Sequence, residues 1–295
     1  MLYRILELLK THNFRGIFFL TGHMAEKISK FPKILDLLES QEIGYHSSAH
    51  TVRPTIIELT DVENYELARQ YSLTRETRHI NPLTGKAEGQ GGIISLQNLF
   101  SSKKIVSFRA PGYSYSPPHL EALNELGITY DFSTNLSEEP LHFKNTTFYP
   151  FPDLIDSPNA KAGARIARSL LKGNVSVLAF HPNYFVNADH WDSLYYPGNP
   201  QRFLVVPARS HMETKSLLRR FDMFLSFLNH LEKTGLLKVD PKLEMGKKQE
   251  KLSSYCVSRS YQLSVGWSTK FFGYKPRFVL SHYKHFFEKN ETQVK

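Results

Sequence analysis

Three histidines of the sequence follow or end apolar runs that are typical of buried strands. His46 ends the run at residues 43–46, His50 comes four residues later, and His181 follows the run at 175–180. Two histidines at this spacing can direct two neutral imidazoles at one divalent ion, and imidazole is a preferred ligand of zinc. A third histidine from another strand end can add a ligand or serve as a general acid. The alternative is that they are surface or capping residues, because a chain with 13 histidines readily produces this spacing by chance.

Helices and short apolar strands alternate along the chain, and this order predicts how such side chains would be positioned. The alternation favours a parallel α/β sheet or a barrel, in which the residues for chemistry gather at the carboxyl ends of the strands. Apolar residues at helical spacing predict helices at 2–12, 24–40, 58–75 and 213–234. Short apolar runs predict buried strands at 16–21, 43–46, 105–108, 128–131, 175–180 and 236–239, with a loop at 81–92.

The composition is that of a folded protein and excludes a disordered, collagen-like or coiled-coil chain, with 41% hydrophobic and 13% aromatic residues in 295. A single cysteine, Cys256, excludes an intramolecular disulfide and a cysteine-based zinc site, so a metal would need histidine and carboxylate ligands. No apolar stretch reaches the length of a membrane-spanning helix, and the first residues lack the pattern of a secretory signal. We therefore expect a protein that is cytoplasmic or peripheral at the membrane.

The positive charge is concentrated in the last 55 residues. Residues 241–295 contain 11 Lys+Arg and 4 Asp+Glu, whereas residues 1–240 contain 26 and 24. This asymmetry predicts a body at 1–240 and a basic, aromatic-rich extension at 241–295. The favoured interpretation is that the aromatic residues of the extension pack back on the body. Contact with an anionic membrane surface or an anionic glycan is the alternative, and nucleic acid is the least favoured partner.

Four ordered segments together resemble the NodB-homology polysaccharide deacetylases, of the carbohydrate esterase family 4 (CE4) type. They are FFLTG at 18–22, EIGYHSSAH at 42–50, RAPGY at 109–113 and LAFH at 178–181. The resemblance covers residues 2–240 and implies a distorted (β/α) barrel, often of seven strands. It also implies a metal-dependent hydrolase, with zinc or another divalent ion as cofactor, that removes N-acetyl groups from chitin-like, peptidoglycan or other surface glycans.

The resemblance implies roles for residues of these segments. His46 and His50 match the two metal-binding histidines of the family, and Arg109 matches the arginine that orients the catalytic aspartate. Tyr113 matches the position whose backbone N–H helps to hold the oxyanion. His181 matches the general acid, which would protonate the leaving amine.

Three further residues are predicted to lie against the substrate. Pro111 shapes the turn before Tyr113, and Leu178 matches the leucine that borders the pocket for the acetyl methyl group. Trp191 lies in the aromatic-rich segment 184–209, where a ring can stack on a sugar or pack within the loop. The partner predicted for this site is an N-acetylated glycan.

One motif of the family is missing from the sequence. The family's first strand ends in an Asp-Asp pair that supplies the catalytic base and a metal ligand, and no two adjacent aspartates occur among the 295 residues. The chain begins inside the helix that follows that strand, so we expect a truncated gene model in preference to a relative that has lost hydrolysis and only binds glycan. Hydrolysis of a small cyclic amide or ureide is a third interpretation. Asp131, at the end of a predicted strand, is interpreted as a strand-end cap in preference to a pocket residue.

Overall fold

The structure of the protein is a computed structural model that describes most of the chain. The described residues are 1–49, 62–81, 84, 86–113, 115–134, 136–155, 167–169, 171–188, 207–254, 257–259, 261–262 and 277–288. His50, with a predicted metal-binding role, and Trp191, with a predicted glycan-binding role, lie outside these residues.

Helices and strands alternate over the described residues, as the sequence predicts. The helices are α1 (Leu2–Thr11), α2 (Gly22–Ile28), α3 (Pro32–Leu38), α4 (Tyr65–Thr77), α5 (Gly92–Leu99), α6 (Pro117–Glu125), α7 (His211–Lys233) and α8 (Val279–Glu288). The strands are β1 (Ile17–Leu20), β2 (Glu42–Tyr45), β3 (His79–Ile80), β4 (Ala87–Glu88), β5 (Ser107–Phe108), β6 (Tyr130–Asp131), β7 (Leu141–Phe143), β8 (Thr146–Phe148), β9 (Asp153–Leu154), β10 (Leu178–Ala179) and β11 (Lys247–Lys248). Short 3₁₀ turns occupy Pro111–Tyr113 and Pro182–Phe185.

The central sheet is mostly parallel and has seven strands in the order β1-β2-β5-β6-β8-β7-β11. The pairs β2/β5, β5/β6, β6/β8 and β7/β11 are parallel, and only the hairpin β7/β8 among the registered pairs of this sheet is antiparallel. The α/β class is therefore confirmed. Within the described residues the sheet does not close on itself, so the (β/α) barrel stays a prediction.

Proline and glycine explain two differences from the predicted elements. The helix predicted at 24–40 is two helices, since Pro32 begins α3 and has no N–H with which to continue α2. The strand predicted at 236–239 is wrong. Instead, α7 ends just before Gly235, whose φ of 73° is the left-handed conformation that stops a helix. Leu236 then lies 65% exposed in an irregular segment.

The strand predicted at 175–180 is shorter and more exposed than expected. Only Leu178 and Ala179 are paired, with Asp153 and Leu154 of β9, in a separate two-stranded parallel sheet. Both paired residues of β10 are half-buried and Val175 is 45% exposed, so the prediction of a strand buried on both faces is wrong. Among the described residues β10 has a single neighbouring strand, which leaves its other edge uncovered by the sheet.

The chain divides into two compact units. The first unit comprises Met1–Phe18, Ile28–Glu42 and Pro152–Leu243. Within it α1 buries Ile5, Leu6 and Leu9, which recur on one helical face, and α7 begins with a capping box between Ser210 and Glu213. The ring of Phe221 on α7 lies 5.0 Å from that of Phe180, which directly follows β10.

The second unit comprises Phe19–Lys27, Ile43–Phe151 and Glu244–Lys295. Helix α8 contributes Tyr283, Phe286 and Phe287 to its core, and the ring of Phe286 lies 5.8 Å from that of Phe143 on β7. The described aromatic residues of α8 therefore pack back on the body, as the favoured interpretation has it. The boundary after residue 240 and a membrane or glycan contact of 241–295 stay predictions. None of the described helices is both long and apolar enough to cross a membrane.

Candidate active site

His46 and Arg109 are neighbours because β2 and β5 are parallel and adjacent. The register pairs Tyr45 with Phe108, so the residue after each strand emerges at the same edge of the sheet. The backbone N–H of His46 donates to the oxygen of Leu20 (2.9 Å), and that of Arg109 donates to the oxygen of Tyr45 (3.1 Å). These bonds extend the strand pairing by one step and fix the backbone from which both side chains project.

The imidazole of His46 is oriented by a hydrogen bond to the backbone of Arg109. Its Nδ1 lies 2.5 Å from the Arg109 carbonyl oxygen. A carbonyl can only accept, so Nδ1 carries a proton, and in the neutral ring Nε2 carries the lone pair. This is the arrangement that typically orients a histidine whose other nitrogen ligates a metal.

The turn after β5 holds Arg109 against Tyr113. The Arg109 guanidinium donates to the Tyr113 hydroxyl and lies 4.5 Å from the centre of its ring. Gly112 and Tyr113 both adopt left-handed φ values, 58° and 56°, after Pro111. The backbone N–H of Tyr113 donates to the oxygen of Ala110 (3.0 Å). An oxyanion at Tyr113 would therefore compete with this bond for the same N–H.

Asp131 stabilises the same turn through hydrogen bonds by way of Ser133. The side chain is 1% exposed, and its carboxylate accepts from the N–H (3.0 Å) and the hydroxyl (2.8 Å) of Ser133. Ser133 Oγ in turn accepts from the N–H of Ala110 at 2.7 Å. Burial raises the pKa of Asp131 to about 7, although the hydrogen bonds from Ser133 oppose the rise. The geometry agrees with the capping interpretation of this residue.

A buried carboxylate that sequence reasoning missed lies behind His46. Glu76 of α4 is fully buried and accepts hydrogen bonds from His119 Nε2 (2.7 Å), from Ser47 Oγ (2.9 Å) and from the Tyr45 hydroxyl. Burial alone would raise the pKa of Glu76, but these partners, with His119 foremost, hold it below its usual value. A signal was present in the sequence, because Glu76 continues the inward stripe of Ala68 and Ser72 at spacings of four.

Two glycines pack closely against the segment that carries His46. A Cβ on Gly22 would lie 2.4 Å from Cα of Gly92, and a Cβ on Gly92 would lie 2.5 Å from Cα of Ser48. Ser47 O accepts from the N–H of Gly22 at 3.1 Å, and Ser48 Oγ accepts from the N–H of Gly92 at 3.1 Å. Only residues without a side chain permit this close approach.

The structure thus brings His46, Arg109, Pro111 and Tyr113 together in the second unit. Leu178 and His181 belong to the first unit, where His181 is half-buried and precedes the 3₁₀ turn Pro182–Phe185. The carbonyl oxygen of His181 accepts from the N–H of Tyr184 at 3.0 Å. The catalytic and substrate-binding roles of these residues stay predictions.

The fit to a metal ion rests on His46. Its oriented imidazole, with Nε2 as the lone-pair atom, suits a divalent ion such as zinc. Over the described part of the chain, no group of three His, Cys, Asp or Glu side chains converges on one point, and His50 lies outside it. The remaining ligands of a metal site are thus not identified among the described residues.

No protein-family model matches the chain, and no curated protein matches it. Solved structures that resemble it include a protein from Mycobacterium smegmatis assigned as a polysaccharide deacetylase. The two share 16% identity at a TM-score of 0.45, over 82% of this chain and 80% of that chain. A CE4 family pseudoenzyme from Bacillus anthracis shares 17% identity at a TM-score of 0.41, over 84% of this chain and 63% of that chain. A 4-alpha-glucanotransferase from Thermococcus litoralis shares 15% identity at 0.41, over 79% and 43%.

These neighbours, one assigned as a polysaccharide deacetylase and one a CE4 family pseudoenzyme, resemble the chain at low sequence identity. This chain spans less than two thirds of the pseudoenzyme and of the glucanotransferase. What the protein does has to follow from its own residues.

Proposed function

We propose that this protein is a metal-dependent hydrolase of the polysaccharide deacetylase type, which removes N-acetyl groups from a glycan. The observation that carries the proposal is the 2.5 Å hydrogen bond from His46 Nδ1 to the backbone oxygen of Arg109. It joins the HSSAH and RAPGY segments, which lie about sixty residues apart in the sequence and are each expected to serve the same reaction. The substrate class rests on the resemblance of these segments to the family.

Hydrolysis of an acetamide needs a polarised carbonyl, an attacking water and a proton for the leaving amine. His46 and Arg109 offer a lone pair and a positive charge from adjacent strand ends. A divalent ion, when bound, would polarise the carbonyl and activate the water, and His46 with His50 would be the residues to hold it. We assign the proton for the amine to His181, which follows β10.

A second candidate is a glycan-binding protein without hydrolysis. It is favoured by one observation, namely that the sequence contains no two adjacent aspartates and so no match to the family's catalytic base. Asp131 does not replace that base in the structure, because its carboxylate is buried and engaged with Ser133. Both candidates depend on the same residues, so binding and turnover have to be measured separately.

The test measures acetate release and binding with one set of glycans on one preparation. The purified protein is incubated with zinc and with N-acetylglucosamine oligomers or peptidoglycan fragments, and its zinc affinity is measured by calorimetry. His46→Ala should abolish stoichiometric zinc binding and acetate release. The matched control is His79→Ala, an exposed histidine of β3, which should change neither.

The outcomes separate the two candidates. Acetate release that depends on His46 supports the hydrolase. Binding of the oligomers without any release, by the wild-type protein loaded with zinc, supports the glycan-binding alternative. Zinc affinity that is unchanged in His46→Ala contradicts the metal assignment.

A further inference from the structure

The two residues that flank His46 both donate to the same buried carboxylate. The Tyr45 hydroxyl donates to Glu76 Oε2, and Ser47 Oγ donates to Glu76 Oε1 at 2.9 Å. Tyr45 and Ser47 are thus bonded to one carboxylate on either side of residue 46 in the sequence. The imidazole of His46 makes its hydrogen bond elsewhere, to the backbone oxygen of Arg109.

The backbone conformation of Ser47 needs contacts of this kind to stabilise it. Ser47 has a φ of 63°, in the left-handed region that a serine adopts reluctantly. A residue stays in that conformation only when its surroundings fix it, and here a side-chain bond to Glu76 and a backbone bond from Gly22 both do so. The direction of His46 therefore depends on contacts that Ser47 makes.

Glu76 is itself immobilised. It accepts from His119 Nε2 at 2.7 Å, and both side chains have no exposed surface. Tyr45 and Ser47 donate to the same carboxylate, and Ser48 Oγ lies 3.5 Å from its Oε2. Because the acceptor is ionised, its hydrogen bonds are stronger than those between neutral groups. The carboxylate is thus a rigid support behind the strand end and has no route to a substrate.

We propose that Glu76 is a positioning residue, which fixes the direction and the tautomer of the His46 imidazole through Tyr45 and Ser47. The effect of Glu76 on turnover rests on the proposed function, in which His46 serves the reaction. The effect of Glu76 on the orientation of His46 does not depend on turnover. In water a free imidazole favours the tautomer with the proton on Nε2, whereas the bond to Arg109 requires the proton on Nδ1. Loss of the support should therefore change the tautomer of His46.

The experiment reads the tautomer directly. Nitrogen-15 chemical shifts of the His46 ring are recorded near pH 8 in the wild-type protein, in Tyr45→Phe/Ser47→Ala and in Glu76→Gln, with the His46 signals assigned by their loss in His46→Asn. The double variant removes the hydroxyl donors of the two residues that flank His46 and leaves the Glu76–His119 pair in place, so it disturbs the core least. The control is Ser72→Ala, which removes a buried hydroxyl one turn earlier on α4 that donates to Ala68 O at 2.8 Å.

We expect the wild type and Ser72→Ala to hold the Nδ1–H form, and the double variant and Glu76→Gln to shift toward the Nε2–H form. In the same variants kcat for acetate release should fall about tenfold to a hundredfold with little change in KM, since a small displacement of a reacting group costs about this much. A His46 tautomer that is unchanged in the folded double variant overturns the positioning role. A tautomer shift in a protein whose wild type releases no acetate upholds this role and refutes the hydrolase instead.

Discussion

The stability of the protein should fall as the pH rises from 5 to 8, because Asp131 has to ionise in the folded state. Its carboxyl group is buried under the turn that carries Arg109, with a pKa raised to about 7, whereas the ordinary value is 3.8. Between these two values the folded chain holds a proton that the unfolded chain has released. The group therefore stabilises the fold fully below the unfolded pKa, and this contribution is lost as the pH rises through the folded pKa.

The size of the effect follows from the two pKa values. The gap between 3.8 and about 7 corresponds to about 4 kcal/mol in the free energy of unfolding. About 2–3 kcal/mol of this is lost between pH 5 and pH 8. Asp131→Asn removes the ionisation but keeps an acceptor for the Ser133 N–H, so its own cost is a weakened hydrogen bond of about 1 kcal/mol at any pH.

The assay is urea unfolding followed by circular dichroism at pH 5 and pH 8. The wild type should be more stable than Asp131→Asn at pH 5, and the difference should shrink or reverse at pH 8 by about 2–3 kcal/mol. Asp36→Asn, at an exposed aspartate of α3, should follow the wild type at both pH values. A stability difference between wild type and Asp131→Asn that is the same at pH 5 and pH 8 would refute the reasoning, since it would mean that Asp131 ionises alike in both states.

Two further predictions concern other parts of the chain. His181→Ala should keep the melting temperature but lose about 10²- to 10⁴-fold in the rate of acetate release from N-acetylglucosamine oligomers. The loss should be much smaller with an aryl acetate ester, because its leaving group needs no proton. Equal losses on both substrates would contradict the general-acid role. Phe286→Ala should lower the free energy of unfolding by about 3–5 kcal/mol, because the ring is fully buried. Leu280→Ala, on the exposed side of the same helix, should lower it by less than about 1 kcal/mol. Similar losses for the two variants in urea unfolding would mean that α8 does not pack on the core.

The parts of the fold that repeat a local pattern could be predicted from the sequence. Helices α1 and α7 were predictable because their apolar residues recur on one face over several turns. The nearness of His46 and Arg109 followed from parallel strands that end at one edge. The strand expected at 236–239 is wrong because Gly235 ends the helix and the apolar run after it is irregular, with Leu236 exposed.

The support of the candidate site could not be predicted in the same way. Glu76 continues the inward stripe of Ala68 and Ser72, but this spacing does not show what would stabilise a buried carboxylate. Only its partners Tyr45, Ser47 and His119 make its burial tolerable. Those partners come from a strand end and another helix, so no local pattern announces them. The predictions for His50 and Trp191 fall outside the described residues and stay predictions.

The close approach of Gly22, Gly92 and Ser48 limits how this chain can diverge. A methyl group at either glycine would collide with main-chain atoms, which cannot rotate away as a side chain can. Even alanine at these positions would displace the segment that carries His46. Descendants of this chain would therefore keep both glycines and vary at positions remote from this contact. In a saturation-mutagenesis survey scored for folding, Gly22 and Gly92 should stand out as intolerant positions in segments that otherwise accept change.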